Sequence, residues 1–348
     1  MAGEYYRLRR LMEDLPKEHQ GYPLWCLPSG EDPRDFKYLR LIGGAVNQEP
    51  TPIDYRSALP PAFDQGQRGS CVACASTWTL KAYEEIKQGD YPTEGLSAAF
   101  LYSMCKEMDG MYGQEGTTPR AAMQVLQKYG ICGEELMPYS TLTDLPAPHL
   151  PAVPDNAVEA AAAFRIKSYA QLCGYGDQDR SQVISAMRQA LKQEGPFIMA
   201  LIVCENFEPD QDGKLPVPAG SIRGGHAVGI VGDMPEQGAL IMRNSWGTEW
   251  GMDGYALLPY EWINSKSEFG WDVFEAWTAT DLSVSHSASK IEIFPEAKTM
   301  LVDGVTVLFD QSMDSSVNRF MLPVRTLAEA MGYQVTWYGR KIVLIKPN

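Results

Sequence analysis

The chain is poor in what membrane-spanning, nucleic-acid-binding and metal-clustering proteins require. No window approaches the ~20 consecutive apolar residues of a membrane span, so insertion into a bilayer is not expected. Positive charge is in deficit: 30 Lys and Arg stand against 44 Asp and Glu, a formal net charge of −14. Phosphate recognition needs a basic face, so nucleic acid is not an expected partner. An acidic body also repels anionic membrane surfaces. Histidine is scarce, with four in 348 residues. The seven cysteines, at 26, 71, 74, 105, 132, 173 and 204, are irregularly spaced, and Cys71 and Cys74 form a C-x-x-C with no second pair to complete a zinc site. No metal and no organic cofactor is expected, and reduced thiols suit a chain of this length better than a disulfide scaffold. The first ten residues, Met1 to Arg10, lack the apolar run of a secretory signal. The expectation is therefore a cytoplasmic protein, with a secreted or cell-surface one as the alternative if a leader has been removed.

What is present is ordinary globular composition, 45% hydrophobic and 21% charged, with length for two or three domains. Residues 1–20 carry Leu8, Leu11, Met12 and Leu15 at helical spacing. Residues 21–62 hold seven prolines and read as an extended arm. A helix is expected from Cys71 to about Lys87, stopped by Gly89. Others are expected from Ser97 to about Met108, from Pro119 to Tyr129 with Pro in the first turn, and from Ser181 to Glu194. The period then changes. Phe197 to Val203 reads as a buried strand, and His226 to Val231, Ala239 to Arg243 and Tyr255 to Leu258 as short strands between Gly-rich turns. Helices first and strands second predict an α+β body with two lobes.

A polar linker, 283–289, precedes a compact pattern. It has strands at Ile291 to Phe294, Thr299 to Val302 and Val305 to Phe309, with a turn at Asp303-Gly304. A helix from Leu322 to Met331 and strands at Gln334 to Trp337 and Lys341 to Ile345 complete a small α/β domain. From residue 290 on, seven basic and six acidic residues give +1, so the acidity belongs to the first body. The expected organisation is 1–50 as N-terminal helix and arm, 51–282 as the main domain, 283–289 as linker and 290–348 as the C-terminal domain.

Three segments carry chemistry: Asp64 to Ala73, Gly224 to Gly229 and Arg243 to Gly251. In order they supply a Cys, a His and an Asn. A thiol attacks as its thiolate, which a helix N-terminus and a neighbouring imidazolium both favour. Cys71 opens the best-defined helix in the chain. His226 sits between glycine and an apolar run, with room beside the ring for substrate backbone at Gly225. Asn244 suits the orienting of one imidazole nitrogen so that the other faces the thiol. Trp246 suits the shielding of that hydrogen bond. Gln65, six residues before Cys71 across a Gly-rich turn, can aim an amide donor at an oxyanion together with the Cys71 backbone N–H.

These segments resemble those of the papain-like cysteine peptidases, over about residues 51–280. The order Cys, His, Asn, the Gln six before the Cys, and Asn244-Ser245-Trp246-Gly247 followed by Trp250-Gly251 carry the likeness. Ile53-Asp54-Tyr55-Arg56 resembles the start of the mature domain, and Gln114 to Pro119, with Gly116 and Thr117, resembles the edge that binds substrate backbone. Asp32 to Phe36 and Leu258 to Glu261 look like bacterial members. The resemblance implies a two-lobed fold, a helical lobe plus a β-barrel-like lobe, and a peptide or protein substrate. It makes Cys71 the nucleophile, His226 the acid/base, Asn244 its orienter and Gln65 the oxyanion donor. Departures are Arg68 where a half-cystine is common, Val72 where an aromatic is usual, and Thr117 where a second glycine is usual, which is expected to narrow the cleft.

Residues 290–348 resemble the module named after the copper amine oxidase N-terminal domain, through Val302-Asp303-Gly304, Asn318 to Arg325, Leu327 to Gly332 and Val335-Thr336-Trp337. Having no His or Cys, the module implies no copper. It implies a binding or spacer unit for a partner or cell-surface ligand. The expected activity is a cysteine endopeptidase acting through a thioester acyl-enzyme. Rival readings are a transpeptidase or ligase using the same intermediate, a catalytically weak binding or anchoring protein, and a redox Cys71–Cys74 pair. Cys74 is otherwise expected to be packing, and His19, His149 and His286 to be solvated. Arg319 and Arg325 are expected to make salt bridges within the C-terminal domain.

Overall fold

The computed structural model describes residues 12, 14–41, 50–177, 180–267 and 270–280, and the strand residues 290–294, 299–302, 305–308, 334–338 and 341–345. Contacts divide the chain into two units, residues 1–32 with 45–280, and residues 33–44 with 281–348.

In the first unit the central helix, α1, begins at Cys71. It runs through an α-helical segment Cys71–Ala75, a π-helical segment Ser76–Lys81 and an α-helical segment Ala82–Gln88, and ends at a left-handed Gly89. The π segment was not foreseen. Such segments are rare and cluster at functional sites. Here it carries Thr79, against which any side chain at Gly229 would collide. Helix α2 (Ala98–Asp109) starts where Ser97 accepts a hydrogen bond from the Phe100 amide at 3.0 Å. Helix α3 (Pro119–Lys128) starts where Thr118 accepts from Ala121 at 3.2 Å, with Pro119 in the first turn. Both are the side-chain caps that leave the first amides satisfied. Helices α4 (Asp155–Ala161) and α5 (Val183–Gln193) follow.

The strands of this unit are β1 (Glu18–His19), β2 (Tyr22–Pro23), β3 (Ile53–Asp54), β4 (Ser168–Cys173), β5 (Phe197–Cys204), β6 (Ile222–Met234), β7 (Ala239–Arg243), β8 (Tyr255–Pro259), β9 (Lys266–Ser267), β10 (Gly270–Trp271) and β11 (Val273–Thr280). β1 with β2 and β9 with β10 are small antiparallel pairs. The rest form one seven-stranded antiparallel sheet in the order β4-β11-β5-β6-β7-β8, with β3 also on β6. β5 is buried along its whole length. Its even-numbered residues Ile198, Ala200, Ile202 and Cys204 join Ala227 of β6 in the core shared with Cys71, Ala75, Phe100 and Leu126. Burying each large apolar side chain there contributes about 1.5–3 kcal/mol, which fixes the helical lobe on one face of the sheet.

In the second unit β12 (Lys290–Phe294), β13 (Thr299–Val302), β14 (Val305–Leu308), β15 (Gln334–Tyr338) and β16 (Lys341–Ile345) form an antiparallel sheet ordered β14-β13-β12-β16-β15. The helix expected over 322–331, the turn at 303–304, the linker 283–289, His286, Arg319 and Arg325 lie outside the described residues. So does most of the amphipathic stretch at the N-terminus; of its apolar residues Met12, helical and buried, and Leu15, packed against the core, are described.

Candidate active site

Two walls face each other along the edge of the sheet. The first belongs to the helical lobe and holds Gln65, Cys71 and the Gly116–Thr117 edge. Gln65 is fully buried. Its Oε1 accepts from Ser245 Oγ at 2.6 Å, and its Nε2 donates to the Arg68 carbonyl at 2.9 Å. One amide N–H is thus spent on the turn, and the same nitrogen lies 3.4 Å from the Pro23 carbonyl in the cleft. Ser245, inside the Asn-Ser-Trp run, orients this amide, a role the sequence alone does not signal. Arg68, the departure from the half-cystine, is 3% exposed and pairs with Glu115 at 3.0 Å. Its guanidinium also donates to the carbonyls of Leu142, Leu145 and His149. The other Glu115 oxygen accepts from the Gly69 amide at 2.5 Å. A buried ion pair therefore ties the loop before Cys71 to the loop before Gly116.

The second wall belongs to the sheet. His226 on β6 is fully buried, and its Nε2 is 2.7 Å from Asn244 Oδ1. That oxygen also accepts from the Ser245 amide at 2.9 Å, so it is an acceptor and the imidazole Nε2 must carry the proton. Nδ1 is left with its lone pair, buried and without a hydrogen-bond partner. Trp246 is 1% exposed and packs 4.9 Å from the His226 ring, covering the hydrogen bond from water.

The N-terminal arm runs between the walls. Cys26 N donates to the Gly225 carbonyl at 2.9 Å, and Leu27 N donates to the Thr117 carbonyl at 3.0 Å. Trp25 pairs with Gly225, and Cys26 with Thr117, as parallel bridges. Gly116 lies at φ +86°, and a Cβ there would run into the Trp25 carbonyl; a Cβ at Gly225 would run into that of Cys26. Two missing side chains thus let the arm's backbone reach both edges. Upstream, Tyr22 stacks on Trp246 at 4.8 Å and 9°, and His19 stacks on the same ring at 6.1 Å.

Several expectations change. His19 is not solvated: it is 6% exposed, stacked on Trp246, and burial holds its pKa below the usual imidazole value. Thr117 does not narrow the cleft, because its hydroxyl turns to Asp109 Oδ2 at 2.5 Å and only its backbone serves the edge. Cys71 is not activated in this state. Burial pushes its thiol up to about 11, against the backbone amides of Ala227 and Trp25, which pull the other way. Burial likewise lowers His226 to about 4, against its bond to Asn244. A covered thiol and a covered imidazole both stay neutral, as low-dielectric surroundings demand. All seven cysteines are free and buried. Cys74 sits in a network with Ser70 and Tyr139, its thiol raised to about 12 by burial. The arm's role had one sequence signal: Leu24-Trp25-Cys26-Leu27 is an apolar run between Pro23 and Pro28, and an extended apolar run needs cover.

Comparison with known proteins decides the family. The sequence model described as papain family cysteine protease matches residues 49–267, more than half the chain. The chain belongs to this family. A peptidase C1-like protein of Acanthamoeba polyphaga mimivirus is 30% identical, over 61% of this chain and 70% of its own length. Papain of Carica papaya is 26% identical, over 68% of this chain and 62% of its own length. Among solved structures, xylellain, a cysteine protease from Xylella fastidiosa, superposes with a TM-score of 0.60 at 27% identity, covering 76% of this chain and 98% of that one. The fold is papain-like and the protein is a papain-like cysteine peptidase. A second sequence model, described as copper amine oxidase N-terminal domain, matches residues 252–345; it begins within the first unit, ahead of β8. Among the described residues no helix is long and apolar enough to cross a membrane, and no His/Cys/Asp/Glu group is arranged to hold a metal.

Proposed function

We propose that the protein is an endopeptidase acting through Cys71, His226, Asn244 and Gln65, kept latent by residues 17–29. The observation that carries the reading is the tautomer at His226. Asn244 Oδ1 accepts the hydrogen bond from Nε2–H, which leaves the Nδ1 lone pair free to act as the base for the Cys71 thiol. With the arm withdrawn, water enters and the helix N-terminus at Cys71 favours the thiolate. The thiol proton passes to Nδ1 and sulfur bonds to the substrate carbonyl carbon. The carbonyl oxygen takes negative charge, held by the Cys71 amide and a Gln65 N–H. Collapse breaks the C–N bond, and the amine leaves with the proton from Nδ1. Water then gives a proton to Nδ1, its oxygen attacks the thioester, and the Cys71 sulfur departs.

In the latent state the Trp25 amide approaches the Cys71 sulfur, which supports a cover lying over the thiol. The C-terminal unit is proposed to bind a partner or surface ligand. The test is intact mass after exposure to an epoxide selective for papain-like thiols, on full-length wild type, Cys71→Ala, His226→Ala and Leu24→Asp. Leu24 is 2% exposed and packs against Gly224, so a carboxylate there disfavours docking of the arm. A single adduct in Leu24→Asp, blocked by Cys71→Ala and slowed by His226→Ala in the same background, is expected. No adduct on folded Leu24→Asp would contradict the reading.

A further inference from the structure

One thiol of the arm lies beside the nucleophile. Cys26 is fully buried, as is Cys71, and the two belong to one core cluster. The arm is pinned on both sides of Cys26. Trp25 and Cys26 are bridged to Gly225 and Thr117, and further on the Ser29 amide donates to Glu275 Oε1 on β11 at 2.8 Å. The Trp25 amide approaches the Cys71 sulfur, and Cys26 is the next residue. Consecutive Cα atoms are about 3.8 Å apart, and a disulfide joins Cα atoms about 4.4–6.8 Å apart. The bare backbone at Gly116 and Gly225 permits this closeness, since a Cβ at either would meet the arm.

Cys74 is the other thiol near Cys71, and in sequence the two form a C-x-x-C. The surroundings of Cys74 hold it elsewhere. It packs with Trp78 and Ala98 in a separate cluster, and its sulfur lies 3.5 Å from Ser70 Oγ and 3.7 Å from the Tyr139 hydroxyl. Burial raises the Cys26 thiol, and Cys71 is the next influence on it, ahead of Glu275. The arm thus carries a sulfur to the nucleophile each time it docks.

We infer that Cys26 is a resolving thiol for Cys71: after oxidation by a hydroperoxide the two join in a disulfide that locks the arm over the site, and a thiol reductant releases it. The lock rests on the arm's role as a cover, proposed above, and not on peptide turnover. With the arm withdrawn, the Cys71 thiolate attacks one oxygen of hydrogen peroxide and the O–O bond breaks. The departing hydroxide takes the proton held at His226 Nδ1 and leaves as water, and Cys71 becomes a sulfenic acid. The arm then docks over this small group. The Cys26 sulfur bonds to the Cys71 sulfur, the S–O bond breaks, and the hydroxyl leaves as a second water with the Cys26 proton. The two thiols lose two electrons and the peroxide gains them. A sulfenic acid with no thiol to resolve it goes on to the irreversible sulfinic and sulfonic acids, so the lock also preserves the nucleophile.

The test uses full-length wild type, Cys26→Ala, Cys26→Ser, Cys74→Ala and Leu24→Asp. Each is exposed to hydrogen peroxide, blocked with N-ethylmaleimide in denaturant and digested without reduction for peptide mass. Wild type should lose two hydrogens, with the peptides of Cys26 and Cys71 joined and dithiothreitol separating them. The same cross-link should form in Cys74→Ala. In either Cys26 variant Cys71 should instead gain two or three oxygens, at least tenfold more than in wild type at equal exposure. Cys71 joined to Cys74, or left a free thiol, in wild type overturns the proposal. So does equal over-oxidation of Cys71 in wild type and both Cys26 variants. Peptide turnover by Leu24→Asp, with no cross-link between Cys26 and Cys71 in wild type, removes the lock and leaves the peptidase reading. The cross-link in a protein that cleaves no peptide, even as Leu24→Asp, removes the peptidase reading and leaves the lock.

Discussion

The two walls of the cleft are held by different physics. On the helical wall, position is set by charge and caps. Arg68 and Glu115 form a buried ion pair, Glu115 grips the Gly69 amide, and Cys71 opens a helix. On the sheet wall, position is set by a strand ladder and by rings. His226 is fixed by the β5–β6 register, by Asn244 and by Trp246. The contrast teaches where each wall is vulnerable. A wall held by an ion pair fails when one partner is lost, because the survivor is a buried bare charge. A wall held by packing and a ladder yields in smaller steps.

Breaking the chemistry itself should have the largest effect. In the opened Leu24→Asp background, Cys71→Ala should lower turnover by at least about 10⁴-fold, measured on any peptide the parent cleaves. Next comes the helical wall. Glu115→Ala should cost about 3–5 kcal/mol in denaturant unfolding of the full chain, and Glu115→Gln distinctly less, since an amide still accepts from Arg68. An equal loss for both would mean that the charge carries the whole effect and the retained acceptor contributes nothing. The sheet wall should give a smaller effect. Asn244→Ala in the opened background should lower kcat by roughly 10²-fold with little change in KM, the lower end of the scale for a lost proton-transfer aid. A loss as large as that for Cys71→Ala would put Asn244 at the reacting atoms and not behind the imidazole.

The smallest expected effect is on pH. In the docked form burial holds His226 down to about 4 and Cys71 up to about 11. A depressed imidazole stabilises the docked form above its ordinary value of 6.5, and that stabilisation is lost as pH falls toward 4. His19 has the same sign. A raised thiol stabilises docking below its ordinary value of 9.0, and that stabilisation is lost as pH rises toward about 11. Glu275, raised by burial, acts the other way in acid. With two imidazoles against one carboxyl, alkylation of Cys71 corrected for its thiolate fraction should be slowest between about pH 6.5 and 9. A monotonic profile across that window would show that the arm does not respond to these groups.

Much of the site was legible because it is local. The Gln65 to Cys71 spacing, the glycines before His226 and the Asn244 segment each lie within a few residues of one another. Ser97, which caps its helix, and Pro119, in the first turn of the next, are local signals of where those helices start. What was not legible is what long-range pairing decides. β11 joins β4 across about a hundred residues and β5 across about seventy-five, and neither β4 nor β11 stands out alone in the sequence. β6 begins at Ile222, before the expected strand start at His226, because the glycines at 224 and 225 read as a turn. There they keep the strand edge bare for the arm. Arg68 appeared only as a missing cysteine; its partner Glu115 is 47 residues away. The burial of Cys71 beneath Trp25 and Cys26 reversed the expected activation of the thiol, since residues remote in sequence set its surroundings.

The most direct test of a covered but complete site is the rate of Cys71 modification in two full-length proteins. Wild type and Leu24→Asp would be treated with the same small thiol electrophile at pH 7.5, and the adduct located by peptide mass. Wild-type Cys71 should stay essentially unmodified while Leu24→Asp reacts at least tenfold faster, with Cys71→Ala blank in both backgrounds. Equal, rapid modification of wild type would contradict the cover, and with it the account of how the arm holds this thiol neutral.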